Sequence, residues 1–374
     1  MKKAILGQII EENSHLNQLI QRLKNLEFQM RSVIDQGAKI SINAEIEEVK
    51  KQLSENGSDQ KRAELIKKIE NITGRRLLTY FSIHGSISDR DARIIEDFLL
   101  SNNINKVDIL IDSPGGFTDS AEKMIKICRI RTGNDEVFDF RTIISNQAKS
   151  AATLFALGSS KILMCKSAEL GPVDPQILVY APNGDKIRDS AHQIFYGSQK
   201  YQEKANKLFK FFNNGDLLLL SKYDPIAIKR AEVAIKHTND IIHKRIYTNP
   251  HLKKNYGNKE DDIKRDLELF TEHEISYSHG RPIYFEDISE FGYCRNKFIQ
   301  KLDEHFLIDE KKESGQVATL ENMLWELTIR SLEVVRPSSE PIQDNNGNII
   351  GFNQVAVKLF ESSNGLILTK DIIN

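Results

Sequence analysis

The chain reads as an α/β protein of repeated βα units around a mostly parallel sheet, and three observations point there. Short apolar runs such as Val107–Ile111 alternate with amphipathic stretches of about ten residues, the pattern of parallel strands joined by right-handed helical crossovers. Two strand-to-helix junctions, Ser113-Pro114-Gly115-Gly116 and Gln147-Ala148-Lys149-Ser150-Ala151, carry residues suited to chemistry rather than packing. Finally, 374 residues with 40% hydrophobic content suffice for one large core with smaller attachments.

The segment before the first strand is rich in charge and poor in aromatic residues. Ile9, Leu16, Leu23 and Met30 recur every seventh position, Ile5, Leu19, Leu26 and Val33 fill the second seam, and Glu12 breaks it, a pattern that predicts a coiled coil. Gly37 is expected to end that helix. A second pattern follows, with Ala44, Ile46, Val49 and Leu53 before Asn56-Gly57-Ser58, and Leu65, Ile66, Ile69 and Ile72 after it. It either folds back on the first helix or pairs with another chain.

The core should open with a strand over Leu77–Ile83, a turn at His84-Gly85-Ser86 and an amphipathic helix over Asp89–Leu100. Strand Val107–Ile111, helix Thr118–Ile130, strand Thr142–Ser145, helix Ser150–Leu157 and strand Lys161–Cys165 follow. Beyond Ile177 the pattern is more helical: Ser190–Phe212, Asp216–Leu220 and Pro225–Ile246. The tail reads as a helix from Gln316 through Leu324, Trp325 and Leu327. Then Asp344-Asn345-Asn346-Gly347-Asn348 turns between Leu332–Val335 and Ile349–Leu359 as a small appended β-hairpin unit. The expected division is a helical coiled-coil segment over 1–74, a catalytic domain over 75–296 and a C-terminal unit over 297–374.

At the two junctions the spacing allows a bland and a chemical reading. Ser150 opens an apolar helix, where its hydroxyl is placed either to cap the helix or to act as a nucleophile at the positive end of the dipole. Glycines directly after a strand let the backbone turn tightly and bare two N–H groups, and they serve equally an ordinary turn or an oxyanion hole. Both junctions fall at the carboxyl ends of strands, where open α/β sheets bind ligands.

The stretches IDSPGG, KSAATLFALGSSKILM and LGPVDPQ, in this order, resemble the serine dehydrogenase proteinase family, a relative of signal peptide peptidase A and of the Clp proteolytic subunit. The resemblance spans Leu77 to Tyr293. It implies the ClpP/crotonase fold, with Ser150 as nucleophile, Gly115 and Gly116 as the oxyanion turn and Ala151 in the substrate-binding set. Cofactors are not expected.

A serine hydroxyl needs a base to take its proton. Where Clp-type subunits carry a histidine this chain has Asp174, between two prolines, suited to orienting a partner or fixing a loop. Where signal peptide peptidase A carries a lysine, Lys200 and Lys204 lie nearby on a charged helix. His279, in EHEISYSHGRPI, is ranked slightly ahead of Lys200, because an imidazole needs no burial to act at neutral pH. His84 follows the first strand at the same sheet edge. Lys149 is expected to face away from Ser150 or to contact substrate. His273 and His279 lie too irregularly for a helix-borne zinc pair, so no metal is expected.

Lys and Arg total 52 against 53 Asp and Glu, a net charge of −1 that gives no bulk pull toward nucleic acid or anionic membrane. Cys128, Cys165 and Cys294 lack CxxC spacing and suit reduced thiols in the cytoplasm. The start of the chain does not read as a signal peptide, and no window approaches the roughly eighteen apolar residues of a membrane span. The expectation is a cytoplasmic, homo-oligomeric serine peptidase acting on peptide or protein substrates, with the coiled coil free to engage a partner. A crotonase-like acyl-CoA enzyme and a non-catalytic assembly scaffold are the alternatives.

Overall fold

In the computed structural model the residues described are 36–55, 58–101, 104–180, 186–207, 224–257, 259–271, 280–335, 338–343, 349–363 and 365–372, with single positions at 18, 22, 25, 26, 29, 30 and 215. Two helices come first, α1 (Gln36–Glu55) and α2 (Ser58–Thr73). They lead into alternating strands and helices: β1 (Arg76–Ser82), α3 (Asp89–Ser101), β2 (Val107–Ser113), α4 (Thr118–Arg131), β3 (Phe140–Ala148), α5 (Ala151–Leu157) and β4 (Lys161–Met164). Strands β1 to β4 pair in parallel, in chain order, and Ile299–Lys301 adds a further parallel strand beyond β4. The predicted α/β architecture is therefore present.

Burial explains why β2 is so apolar. Every residue of Val107–Ser113 is buried, because helices cover both faces of a parallel sheet. Strand residues alternate between the two faces. Leu78, Tyr80, Ile109, Ile111, Ile144 and Ile162 pack with α3, α4 and the wholly buried α5. The alternate set, Leu77, Phe81, Leu110, Ile143 and Leu163, packs with Ile66 and Ile69 of α2 and with Leu320, Leu324 and Leu327 of helix α6 (Ser314–Val334).

Three expectations about the flanks are corrected. The stretch 58–73 is not part of a detachable coiled coil: Ile66 and Ile69 are fully buried in the second core. Residues Leu332–Val334 close helix α6 rather than form a strand. The tail is also no separate appendage. Its strands β5 (Ser338–Gln343), β6 (Ile349–Ser362) and β7 (Gly365–Ile372) extend the central sheet, with β6 antiparallel to β1 and bonded to both β5 and β7. The strand that pairs with Ile349–Ser362 is Ser338–Gln343, not the expected Leu332–Val335; the expected turn residues 344–348 lie outside the described residues, and a third strand joins the pair.

At the N-terminus, Gly37 lies inside the first turn of α1 instead of ending a helix. Leu26 packs on Ile46 and Val49, with Met30 and Ile42 alongside, and Arg22 meets Glu45 at 3.5 Å, so the described positions of the first pattern lie back against α1. The other heptad positions, and the whole of the helix expected over Asp216–Leu220, lie outside the described residues.

Two elements of the middle region frame the site. An antiparallel hairpin, Gln176–Tyr180 with Lys186–Ser190, leads directly into helix α7 (Ala191–Lys207). Helix α8 (Pro225–Ile242) packs against α7 through Ala191, Ile194, Ala231 and Ile235. The helix expected over Ser190–Phe212 is thus observed to Lys207. The one expected over Pro225–Ile246 ends at Ile242 in a wider π turn, His243–Tyr247.

Arg62 of α2, itself without solvent exposure, meets the buried Glu361 of β6 at 2.7 Å and ties the two flanks together. Replacing Arg62 with Met should cost about 3–5 kcal/mol in urea unfolding at pH 7, since it strands a carboxylate in the core. Burial already pushes the Glu361 carboxyl up against the pull of Arg62, so the loss should shrink in acid, where that carboxyl is protonated. Deletion of residues before Ser58 should leave the cooperative melt in place, whereas deletion through Thr73 should abolish it. A stable product of the longer deletion would show that α2 is peripheral.

Candidate active site at the ends of strands β2 and β3

Strand β3 runs to Ala148, and the chain then turns through Lys149 and Ser150 into α5. Ser150 has φ 51° and ψ −120°, and Ala152 N donates to Lys149 O at 2.9 Å. Those values are the first central position of a type II′ turn, a conformation that costs a non-glycine residue about 1–3 kcal/mol. The hydroxyl makes no capping hydrogen bond. The capping reading of Ser150 is therefore not what the structure has: the side chain sits on a strained elbow and faces a cleft. Thr153 braces the elbow, its Oγ1 donating to Ala148 O at 2.6 Å and accepting from Gly171 N at 3.2 Å.

The SPGG junction lies against this elbow. Lys149 N donates to Ser113 O at 3.1 Å, which joins the ends of β2 and β3. A Cβ on Gly115 would stand 2.6 Å from Lys149 O and 2.8 Å from the Cβ of Ser150, so only glycine permits the contact. At Gly116, with φ 154°, a Cβ would meet Ile87 N at 2.1 Å. The N–H of Gly115 is used internally, donating to Ser113 Oγ at 3.2 Å.

The next peptide is oriented from the other side. Ile87 N donates to Gly115 O at 2.8 Å and Phe117 N donates to Ile87 O at 3.0 Å. Because that peptide is trans, the N–H of Gly116 points opposite to the carbonyl held by Ile87. Ala151 N, at the first position of α5, falls 3.1 Å from where a Gly115 Cβ would be. As an N1 amide it has no intrahelical acceptor. Two backbone donors thus flank Ser150.

The cleft holds about 770 Å³ and is walled by His84, Gly115, Gly116, Phe117, Lys149 and Ser150 on the sheet side, and by Pro175, Gln176, Leu178, His237 and Gly280 opposite. Lys149 lines the cleft beside the serine, its Nζ 2.6 Å from Glu169 and 3.0 Å from Gly280 O. His84 lines the cleft, as its position after β1 suggested. His237 lines it too, its Nε2 against Asp119 at the start of α4.

Of the base candidates, Lys200 is exposed on α7 and is not among the cleft residues. His279, like His273, lies outside the described residues. Asp174 is buried and pairs with a residue that the motif reading missed: His192 Nδ1 lies 2.6 Å from Asp174 Oδ1, both side chains no more than 5% exposed. The neighbours of this pair, Ala191 and Pro175, are bonded N to O at 2.8 Å, and Pro175 is itself a cleft residue. The signal was present, since His192 is the one histidine between Ser150 and His237. Its pairing depends on the hairpin Gln176–Ser190 bringing positions 174 and 192 together, which periodicity does not reveal. The described residues contain no cluster able to hold a metal ion.

Behind the junction, Asp112 is buried on the opposite face of β2. Burial raises its carboxyl to about 6, although Asn146 and Gln147 donate to it. A carboxyl raised in the folded state holds its proton where the unfolded chain has lost it, so stability should fall as pH rises from about 4 to about 6. Asp112→Asn should raise the melting temperature at pH 7.5 and flatten that slope. An unchanged thermal profile would mean the carboxyl is not desolvated.

Comparison with known proteins agrees with the architecture. Residues 35–191 match the family described as ClpP-like SDH-type serine proteinase. The uncharacterized protein MJ1495 of Methanocaldococcus jannaschii is 30% identical over 245 residues, 62% of this chain and 70% of that protein. MJ0137 of the same organism is 28% identical over 187 residues, half of this chain and 52% of its own length, so the chain spans about half of that relative. Among solved structures, a membrane-bound stomatin-specific protease is similar in two mutant forms. A lysine-to-alanine mutant with a substrate peptide has a TM-score of 0.34, 16% identity and coverage of 63% of this chain and 78% of that one. A serine-to-alanine mutant has a TM-score of 0.33, 16% identity and coverage of 63% and 83%. No described helix is long and apolar enough to cross a membrane. On its matched region the chain belongs to the ClpP-like SDH-type serine proteinase family.

Proposed function

We propose that the chain is a serine peptidase that cleaves peptide bonds through an acyl-enzyme on Ser150. The observation that carries this reading is the contact of Gly115 with the Ser150 elbow, which puts an uncapped hydroxyl beside two outward backbone donors. In this reading Ser150 Oγ attacks the scissile carbonyl carbon and its proton passes to a base. The N–H groups of Gly116 and Ala151 hold the oxyanion, with Gly115 supplying the close approach. The base then protonates the leaving amine, and water repeats the sequence on the ester to release the acid and regenerate the serine.

We take the base to be His192, which does not itself line the cleft but adjoins Ala191, bonded to the Pro175 wall; Asp174 orients it. The buried 2.6 Å contact between them supports this, as does their attachment to the Pro175 wall of the cleft. The proposal replaces the earlier ranking of His279 and Lys200. An enzyme that only held an acyl-CoA enolate would need the paired donors but no serine on a strained elbow. The enzyme is further taken to be cytoplasmic and homo-oligomeric, its buried Cys128 and Cys294 remaining thiols.

A fluorophosphonate should label Ser150 in the intact protein, and Ser150→Ala should abolish both labelling and peptide turnover while the melt stays within about 2 kcal/mol of wild type. Labelling elsewhere, or turnover by the alanine variant, would sink the nucleophile assignment. His192→Ala should lower kcat by about 10²- to 10⁴-fold. Lys200→Ala should leave it unchanged. A larger loss in His279→Ala than in His192→Ala would move the base to His279.

A further inference from the structure

The C-terminal strand β6 sends a lysine beneath the loop that orients the SPGG junction. Lys358, 1% exposed, reaches Asp91 of α3 at 3.0 Å to Oδ2 and 3.3 Å to Oδ1, and Ser88 Oγ at 3.4 Å. Asp91, with no exposure, also accepts from Ser88 N at 2.8 Å and from Tyr80 Oη at 3.2 Å. The stem of the lysine supports the same loop further back: a Cβ on Gly85 would meet Lys358 Cε at 2.7 Å. Gly85 O in turn accepts from Ser82 Oγ at 2.7 Å. Loop 83–88 is therefore held at Gly85 by packing and at Ser88 by charge.

Between those anchors stands Ile87, the residue that fixes the Gly115–Gly116 peptide through its two backbone bonds to Gly115 O and Phe117 N. We propose that Lys358 is a positioning residue for the oxyanion donor at Gly116, acting through Asp91, Ser88 and Ile87 from a strand none of whose described residues lines the cleft. The physical reason is the asymmetry of buried charge. An ammonium with no exposure to water is stable only against its carboxylate and nearby acceptors, so it holds Asp91 and Ser88 in one arrangement instead of several. A peptide plane tilted by a few tenths of an ångström weakens a donor that must meet a short-lived oxyanion, while substrate binding along the cleft is little affected. This inference rests on the peptidase reading for its kinetic consequence but not for its structural one.

Two measurements on the full-length protein test it. Hydrogen–deuterium exchange of Lys358→Met, and of the double variant Lys358→Met/Asp91→Asn that leaves no unpaired buried charge, should quicken about tenfold or more in peptides covering 84–88 and 115–118. Peptides from β2 and β3 should keep wild-type protection. The rate of fluorophosphonate labelling at Ser150 should fall about 10- to 100-fold, with little change in the inhibition constant of a substrate peptide. Wild-type exchange in the loop peptides of both variants would overturn the proposal. So would a uniform loss of protection across β2 and β3 in the double variant, which would make the lysine merely structural. Wild-type protein that is never labelled would overturn the peptidase reading alone, and the exchange measurement would still decide the positioning.

Discussion

The approach of Gly115 to the Ser150 elbow is the constraint on which the site depends. Two parallel strands, β2 and β3, are held in register along their buried residues, and Lys149 N bonding Ser113 O carries that register past the strand ends. Any side chain at position 115 would strike Lys149 O or Ser150 itself, and any at 116 would strike Ile87. The strained turn at Ser150 survives because everything around it is fixed. Thr153 bonds both sides of the elbow, and α5 behind it is buried along its whole length. Strain of this size persists only where the surroundings over-determine it.

That rigidity is set from a distance. The strand on the outer side of β1, β6, comes from the C-terminal region, and three sets of buried charges hold the assembly together: Arg62 with Glu361, Lys358 with Asp91, and Asp108 shared by Arg75 and Arg141. Each charge costs several kcal/mol to desolvate and is tolerable only in its one paired arrangement, so such pairs select a geometry more than they add stability. Arg141 also contacts Glu310 at 2.7 Å, which ties the interior strand β3 to the segment before α6. Residues 58–73 and the strands of 338–372 thereby become part of the core and sheet that carry the candidate site.

The cleft is closed on its far side by elements with their own small core. Ala191, Ile194, Ala231 and Ile235 join α7 to the first part of α8, while Ile241 and Ile242 at its end enter the main core. Polar bonds join this far side to the sheet side as well, His237 to Asp119 and Lys149 to Gly280 O, while Ala191 N to Pro175 O ties the cover together. The elbow and the glycine turn are themselves held by the strand ends and by Ile87. Machinery that must hold its geometry is thus placed on the strands and the cover on hairpin and helix, as rigidity and access respectively require.

The alternation of strands and helices from Leu77 to Met164 was legible because both periods are local: an apolar run of strand length, then a stretch with one buried face. Ser150, Gly115 and Gly116 were legible for a related reason. A serine after a strand and glycines after a strand have few uses, and the motif order was specific. The conformation at Ser150, which turned a possible cap into an uncapped elbow, was decided by tertiary contacts through Thr153 and Gly115. His192 was invisible because its partner Asp174 is reached only through an intervening hairpin. The misassigned flanks had the same cause. Leu65, Ile66 and Ile69 show a buried face but not what buries it, and Lys358, alone among apolar neighbours in β6, gives no hint of Asp91 at the far end of the chain. By itself the sequence determined the order of elements and the residues of the turn at Ser150, since these follow from neighbours a few positions apart. Only the tertiary structure decided which charges pair, which flank enters the core and where the histidine lies, because those depend on contacts whose partners are separated by up to 299 positions.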